Sequence, residues 1–268
     1  MNKMEKTYTV KRRVNLEFLV SYYTDKGIKK RTNQDGLMMK SIRTNKGRIG
    51  LFTVCDGMGG LDKGELASST VITHLSKWFD EELPSLITKE DSEIVNSLNE
   101  HIYKVNKAIV DYSTENNIKI GTTLTALLCI YDKYYIIQVG DSRVYKINNT
   151  MEILTKDQTY VAREVERGNI TKEQAKTHPK RNILLQCIGA KEKVETVITN
   201  GDLEKDTTYI ICSDGLYHEI SDNEFVQIFN PKVNTTLQKL EETAKSTVEL
   251  VMNRKERDNI TVLIVRTK

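Results

Sequence analysis

Five aspartates mark places where apolar stretches of the chain begin or end, and each stands beside a small or turn-forming residue. They are spread over most of the sequence: Asp35, Asp56, Asp141, Asp214 and Asp258. Carboxylates on strand ends can converge on one pocket even when they are far apart in the sequence, and hard divalent cations bind oxygen ligands of this kind. The pattern therefore predicts a fold that gathers distant strand ends around a carboxylate metal site.

The composition indicates a folded protein without a nucleic-acid or membrane partner. Of the 268 residues, 38% are hydrophobic, which is enough for a core and argues against disorder. The 40 basic and 37 acidic residues leave a net charge of +3, which is too small to favour nucleic acid. No apolar run approaches the ~20 residues of a membrane span, and residues 1–15 lack the apolar core of a signal peptide. We therefore expect a cytoplasmic protein and take a monomer as the default.

Cysteine and histidine usage argues against disulfides and zinc. The 4 cysteines all lie in apolar stretches and form no CxxC pair, so we expect buried, reduced thiols. The 4 histidines show neither HxH nor HExxH spacing, which argues against a zinc hydrolase. The GxSxG, Walker A and Rossmann glycine patterns are also missing from the sequence.

Apolar periodicity predicts strands and helices in alternating blocks. Helical spacing predicts helices over residues 66–79, 93–112, 223–229 and 236–252. Apolar runs predict strands over residues 16–23, 48–55, 122–130, 134–139, 144–147, 153–155, 183–188, 194–198, 209–212 and 260–265. The pairs Asp132-Lys133 and Asn148-Asn149 indicate hairpin turns and hence antiparallel pairing. The blocks predict an α+β fold with helices packed on sheets.

One segment interrupts the strands. Residues 157–181 are polar, charged and weakly helical, which is typical of a surface insertion and predicts a flap. We see no internal repeat, and the 3 prolines form no linker. A single domain over residues 1–268 is therefore the simplest organisation.

The glycines beside the aspartates favour metal binding. Asp56 and Asp214 each follow strand-like residues and precede a glycine, which lets the backbone approach a ligand closely. The Gly57 carbonyl is then a candidate metal ligand beside the Asp56 carboxylate. Asp258 precedes the last strand, where Asn259 could orient its carboxylate by hydrogen bonding. Two cations ~3.5–4 Å apart need a bridging carboxylate, and Asp56 is our candidate for it.

A site of this kind predicts hydrolysis at phosphorus. Water between two cations loses a proton near neutral pH, and the cations neutralise the phosphoryl oxygens. The substrate phosphate needs a cation of its own, for which Lys30 and Arg31, shortly before Asp35, are both candidates. A two-metal nuclease is disfavoured by the missing basic stripe, and a catalytically silent binding module by the full set of carboxylates.

The ordered motifs resemble those of the metal-dependent PPM, or PP2C-type, protein serine/threonine phosphatases, in their bacterial form. They are Asn33-Gln34-Asp35, Asp56-Gly57-Met58-Gly59-Gly60, Gly64-Glu65, Gly121-Thr122-Thr123, Gly140-Asp141-Ser142-Arg143, His178-Pro179 with Asn182, Ser213-Asp214-Gly215-Leu216 and Asp258-Asn259-Ile260-Thr261. The resemblance implies a four-layer α–β–β–α sandwich of two mainly antiparallel sheets flanked by helices. It also implies hydrolysis of phosphoserine and phosphothreonine in proteins phosphorylated by a cognate Ser/Thr kinase.

The resemblance further implies a role for each acidic residue. Asp56, the Gly57 carbonyl, Asp214 and Asp258 would hold two Mn²⁺ or Mg²⁺ ions, and Asp35 would hold a metal-bound water. Asp141 would join Asp214 in a weaker third metal site. Residues 157–181 would be the flap beside the active site.

Three positions depart from the pattern of some family members. The family's phosphate-binding arginine aligns with Lys30, and Arg31 is adjacent, so either could bind the phosphate. Met58 stands where some members have a histidine proposed as general acid, which leaves the source of the leaving-group proton open. His218 stands where some members have an aspartate of the third metal site.

Overall fold

The computed structural model of the protein describes residues 16–58 and 63–268. The signal-peptide expectation for residues 1–15, and Gly59 and Gly60 of the glycine-rich motif, lie outside these ranges. In the part that the structure describes, no helix is both long enough and apolar enough to cross a bilayer.

The described strands form two antiparallel sheets. The first sheet has the order β1-β10-β9-β6-β7, and the second has the order β2-β3-β4-β5-β8. The strands are β1 (Phe18–Asp25), β2 (Gly36–Thr44), β3 (Gly47–Cys55), β4 (Leu124–Ile130), β5 (Lys133–Val139), β6 (Arg143–Ile147), β7 (Met151–Ile153), β8 (Val197–Asp202), β9 (Thr208–Cys212) and β10 (Ile260–Thr267).

Helices cover the outer faces of both sheets. They are α1 (Gly64–Glu81), α2 (Leu83–Leu86), α3 (Asp91–Glu115), α4 (Tyr160–Glu166), α5 (Lys172–Thr177), α6 (Asp214–Tyr217), α7 (Asp222–Ile228) and α8 (Leu237–Asn253). Helices α1 and α3 pack on the second sheet, whereas α7 and α8 pack on the first. A third apolar cluster lies between the two sheets. The four-layer α–β–β–α sandwich is therefore confirmed.

Strands that are buried on both faces explain the continuous apolar runs in the sequence. In β4, Ala126 and Leu128 face the helices, while Leu127 and Cys129 face the other sheet. Side chains of a strand point alternately to its two faces, so a strand between two apolar layers needs apolar residues throughout. The buried thiols of Cys55, Cys129 and Cys212 belong to these layers.

The predicted helices and most predicted strands are present, but several details differ, among them the strand β2, which was not predicted. Residues 183–188 form no strand, because they make only isolated bridges, at Leu184 and Ile188, with separate segments. The strand predicted at 194–198 begins at Val197. The turn predicted at Asp132-Lys133 lies one residue earlier, at Tyr131-Asp132, since Ile130 pairs with Lys133. The prediction of 183–188 as a strand was wrong because its apolar residues contact different neighbours instead of one partner strand.

Candidate metal and phosphate site

Antiparallel pairing in the second sheet places Asp35 and Asp56 side by side. Gly36 pairs with Cys55 at the end of the β2–β3 ladder, so the two aspartates flank this last pair. Thr123 fixes the Asp56 backbone, since its hydroxyl accepts a hydrogen bond from the Asp56 N–H at 2.9 Å.

The first sheet brings the other three aspartates to the same end of the sandwich. Cys212 pairs with both Arg143 and Val262, so the β9 end that carries Asp214 lies between the segments that carry Asp141 and Asp258. Asp141 lies in the connection by which the chain crosses from β5 in the second sheet to β6 in the first. Short connections at one end of the two sheets therefore gather all five residues.

The Gly57 backbone is packed between two other segments. A Cβ atom added at Gly57 would lie 2.4 Å from the Gln34 carbonyl oxygen and 2.7 Å from the Gly64 carbonyl. Only a residue without a side chain fits there, which explains the glycine after Asp56.

Asp35 is held by hydroxyl groups that the sequence analysis did not identify. Its Oδ2 accepts hydrogen bonds from Ser213 Oγ at 2.9 Å and from Thr261 Oγ1 at 2.6 Å. Its Oδ1 is buried and has no hydrogen-bond partner in the described structure. Burial of the carboxyl group and the charges of Asp214 and Asp258 raise the pKa of Asp35 from 3.8 to about 7, against the effect of the two hydroxyls.

The remaining carboxylates repel one another. Burial, followed by the charges of Asp35, Asp214, Asp141 and Asp258, raises the pKa of Asp56 above its ordinary value. Burial and the charge of Asp214 raise the pKa of Asp141, and burial and the charge of Asp258 raise that of Asp214. The buried Asp214 Oδ1 has no hydrogen-bond partner among the described residues. Close carboxylates in a poorly solvated place need a compensating positive charge.

The donor set fits hard divalent cations. All of the candidate ligands are oxygen atoms, and two carboxylate oxygens are unpartnered. Within residues 16–58 and 63–268, no group of three or more acidic, histidine or cysteine side chains is arranged so that all of them could bind one metal ion. A cation there would therefore combine one or two carboxylates with a backbone carbonyl and waters, which is how Mg²⁺ usually binds to proteins.

Lys30 and Arg31 occupy different environments. Lys30 Nζ lies 2.6 Å from Asp258 Oδ1. Burial lowers the pKa of Lys30, but the hydrogen bond and charge of Asp258, with the charges of Asp56 and Asp214, outweigh it and raise the pKa. Lys30 lines a cleft of about 480 Å³ together with Asp214, Asp258 and His218, whereas Arg31 is exposed and does not line it.

Asn259 positions the loop that carries Lys30. Its side-chain amide donates to the carbonyls of Lys26 at 2.9 Å and Thr32 at 3.0 Å, and its Oδ1 accepts from the Gln34 N–H at 3.0 Å. The expected contact with Asp258 comes instead from the backbone, since the Asn259 N–H donates to Asp258 Oδ1 at 2.8 Å.

An arginine not assigned a role from the sequence links Asp141 to the 157–181 segment. Arg143 donates to both carboxylate oxygens of Asp157, at 2.9 and 2.6 Å, and its guanidinium lies 3.7 Å from the centre of the Tyr217 ring. The Tyr217 hydroxyl donates to the Asp141 carbonyl at 3.1 Å. The start of the segment is thus tied to the strand crossing that carries Asp141.

The other end of the 157–181 segment reaches the cleft. The segment contains α4 and α5, whose N-termini are capped by the side chains of Thr159 and Thr171. Arg181, at its end, and the following Asn182 both line the cleft. Both ends of the segment therefore lie close to the acidic residues.

His218 is the histidine of the cleft. Its Nδ1 lies 3.9 Å from Asp214 Oδ2 and 4.0 Å from Glu256 Oε2.

Met58 is half-buried, and its N–H donates to the Gly121 carbonyl at 3.1 Å.

The raised pKa of Asp35 predicts a pH-dependent stability in metal-free buffer. A carboxyl group whose pKa is about 7 when folded and 3.8 as an ordinary group binds more protons in the folded state. The free energy of unfolding should therefore fall as the pH rises from about 4 to about 7. Between pH 5 and 7.5 the wild type should lose about 2 kcal/mol more than Asp35→Asn, measured by urea unfolding with chelator present. Equal losses in the two proteins would show that Asp35 carries no such pKa shift.

Comparisons with known proteins identify the family. The model of the protein phosphatase 2C family matches residues 27–253. The serine/threonine phosphatase stp of Listeria welshimeri is 35% identical over 91% of this chain and 94% of its own. PstP of Mycobacterium tuberculosis, a serine/threonine protein phosphatase, is 29% identical over 94% of this chain and 45% of its own.

Solved structures agree with this result. Serine/threonine phosphatase Stp1 from Staphylococcus aureus superposes with a TM-score of 0.82, at 28% identity over 99% of this chain and 100% of that one. The PstP catalytic domain in complex with 2 manganese ions superposes with a TM-score of 0.76, at 26% identity over 94% of this chain and 99% of that one. The chain belongs to the protein phosphatase 2C family and is a serine/threonine phosphatase.

Proposed function

We propose that this phosphatase hydrolyses phosphoserine and phosphothreonine monoesters in proteins at a centre of two Mn²⁺ or Mg²⁺ ions. The observation that carries the proposal is the convergence of five carboxylates from separate segments. Burial and mutual repulsion raise the pKa values of four of them, Asp35, Asp56, Asp141 and Asp214. The two manganese ions in the similar PstP catalytic domain support the same stoichiometry.

Four groups would hold the two ions: the carboxylates of Asp56, Asp214 and Asp258 and the carbonyl of Gly57. Asp56, whose pKa responds to all four other aspartates, is the candidate for the bridging position. Asp141 and Asp214 would hold a weaker third ion, with His218 beside Asp214. When bound, such ions lower the pKa of water and neutralise charge on phosphoryl oxygens.

Asp35 would orient the attacking water. Ser213 and Thr261 fix its Oδ2, which leaves the unpartnered Oδ1 to accept a hydrogen bond from that water. A carboxylate held in one rotamer by two hydroxyls loses little further entropy when it binds a water, so the position of the water is defined in advance.

Lys30 would bind the substrate phosphate. It lines the cleft and carries a positive charge beside Asp258. Its ammonium group acts as a point charge, whereas the exposed Arg31 would have to reach in from outside the cleft. We further propose that residues 157–181 act as a flap on a single catalytic domain, because both ends of the segment lie near the site.

The proposed function is tested with a phosphothreonine peptide and with p-nitrophenyl phosphate. The purified protein should release phosphate from both when Mn²⁺ or Mg²⁺ is present and should stop when the metal is chelated. Full activity after exhaustive chelation would reject the metal-dependent mechanism.

Lys30 and Arg31 can be separated by substitution. Lys30→Ala should raise both the KM for the peptide and the inhibition constant of inorganic phosphate about tenfold, since one charge-assisted contact is lost. Arg31→Ala is the matched control and should change both constants less than about twofold. A larger effect of Arg31→Ala than of Lys30→Ala would assign the phosphate to Arg31 instead.

A further inference from the structure

We propose that the mouth of the cleft selects phosphorylated segments that carry additional negative charge next to the phosphorylated residue. Three cations, Lys29, Arg181 and Arg257, which we call the rim, would bind this charge. The inference rests on the proposed function, and it names the substrate class that the site prefers.

The rim residues come from three separate parts of the chain and line one cleft. Lys29 belongs to the loop between β1 and β2, Arg181 follows α5, and Arg257 lies between α8 and β10. All three are exposed. Their convergence on one opening is a product of the fold and is not visible as a basic run in the sequence.

The rim cations lack acidic partners in the described structure. None of the three forms an ion pair with a carboxylate of residues 16–58 or 63–268. Arg181 donates to the Lys176 carbonyl at 2.9 Å, a contact that places the guanidinium but leaves its charge uncompensated. Several other surface cations, by contrast, are neutralised: Lys107 by Asp111, Lys133 by Asp91 and Arg254 by Glu224.

The acidic residues of the cleft do not neutralise the rim. Asp214 and Asp258 are assigned to the metal ions, and Lys30 is assigned to the phosphate. Glu256 is turned inward, with a side chain 11% exposed, and its Oε1 accepts the backbone N–H groups of Arg257 and Asp258 at 2.5 and 2.9 Å. The charge that the cleft presents to an arriving substrate is therefore positive.

The reach of the rim suits residues adjacent to the phosphorylated one. An extended peptide advances ~3.3 Å per residue, so positions two or three residues away lie within roughly 10 Å of the phosphate. That distance is about one Debye length at 0.1 M salt, so the electrostatic attraction between charges there and the rim cations is only partly screened. Acidic side chains and a second phosphate meet the same requirement, and phosphate offers the stronger, bidentate partner for the two arginines.

The test uses four phosphothreonine peptides that differ only in the two residues flanking the phosphothreonine. In three of them both flanking residues are alanine, both are glutamate or both are lysine. In the fourth, one flanking residue is a second phosphothreonine. Two glutamates should raise kcat/KM about fivefold over alanine, the second phosphate should raise it further, and lysine should lower it. The preference should shrink to less than about twofold at 0.5 M salt, because exposed charges are screened.

Variants connect the preference to the rim. In Lys29→Gln with Arg257→Gln, the kcat/KM ratio of the glutamate to the alanine peptide should fall well below its wild-type value, with Arg181 left to supply the remainder. Lys46→Gln is the matched control, because Lys46 is exposed in the β2–β3 turn, roughly 27 Å of strand away from the site. This variant should keep the full preference.

Hydrolysis of p-nitrophenyl phosphate, which has no flanking residues, separates the two proposals. Turnover of p-nitrophenyl phosphate with equal kcat/KM for the glutamate and alanine peptides would overturn the role of the rim and leave the phosphatase site standing. A preference that survives undiminished in the double variant would also overturn it. Failure of metal-dependent turnover on p-nitrophenyl phosphate and on all four peptides would reject the proposed function and this inference with it.

Discussion

Replacing Asp56 with asparagine is expected to lower kcat at least about 10³-fold, which corresponds to about 4 kcal/mol of activation free energy. The variant loses the negative charge that we assign to the position between the two ions. It also loses a buried charge that Asp35, Asp214, Asp141 and Asp258 repel, so the metal-free protein should become more stable. A large loss of activity together with a gain in stability is the signature of a carboxylate kept for function.

Steady-state hydrolysis of a phosphothreonine peptide measures the first effect, and thermal unfolding in chelator measures the second. Asp80→Asn is the control, because Asp80 pairs with Lys40 at the surface and its side chain is 58% exposed. This control should keep kcat within about twofold. An Asp56→Asn enzyme that retains kcat within about tenfold of the wild type would contradict the bridging role.

Replacing Gly27 with alanine is expected to disturb Asp258 without touching any charged group. Gly27 has a φ of 71°, and an added Cβ would lie 2.1 Å from the Asp258 carbonyl oxygen. The backbone of Asp258 would have to move by about 1 Å, and displacements of this size cost about 10²-fold in rate. In Gly27→Ala, the left-handed backbone conformation lowers the free energy of unfolding, and the steric overlap should lower it by about 2 kcal/mol more.

Gly168→Ala is the matched control for this prediction. Gly168 has nearly the same φ, 73°, but an added Cβ meets nothing within 4 Å. It should lose only the roughly 1–2 kcal/mol that a side chain costs in the left-handed region, and its kcat/KM should stay within about twofold. Urea unfolding and peptide hydrolysis measure the two differences. If the two variants behaved alike, the packing of Gly27 against Asp258 would carry no function.

The parts of the fold that follow from periodicity were predictable from the sequence. Val71 and Leu75 in α1, and Leu98 and Ile102 in α3, recur at helical spacing because one face of each helix is buried. The strand β2 was missed, since it is an edge strand in which polar residues between 40 and 43 interrupt the apolar ones. Residues 183–188 were misassigned because apolar content alone does not specify a partner strand.

The convergence of distant acidic residues could be predicted, but the contacts that support them could not. Asp35 is 178 residues from Ser213 and 226 residues from Thr261 in the sequence, and only the register of β10 with β9 brings the hydroxyls to it. Similarly, the sequence left Lys30 and Arg31 equivalent. Their environments differ because Asn259, which lies directly before β10 in the first sheet, forms hydrogen bonds with the backbone of the loop that carries both residues.

The central claim is that Asp56, Asp214 and Asp258 hold two divalent ions in one place. Anomalous diffraction from a crystal soaked in Mn²⁺ tests it most directly. Two manganese peaks are expected about 4 Å apart, with Asp56 contacting both and with Asp214 and Asp258 contacting one or the other. Manganese that binds elsewhere, or a single ion that leaves Asp56 uncontacted, would contradict it.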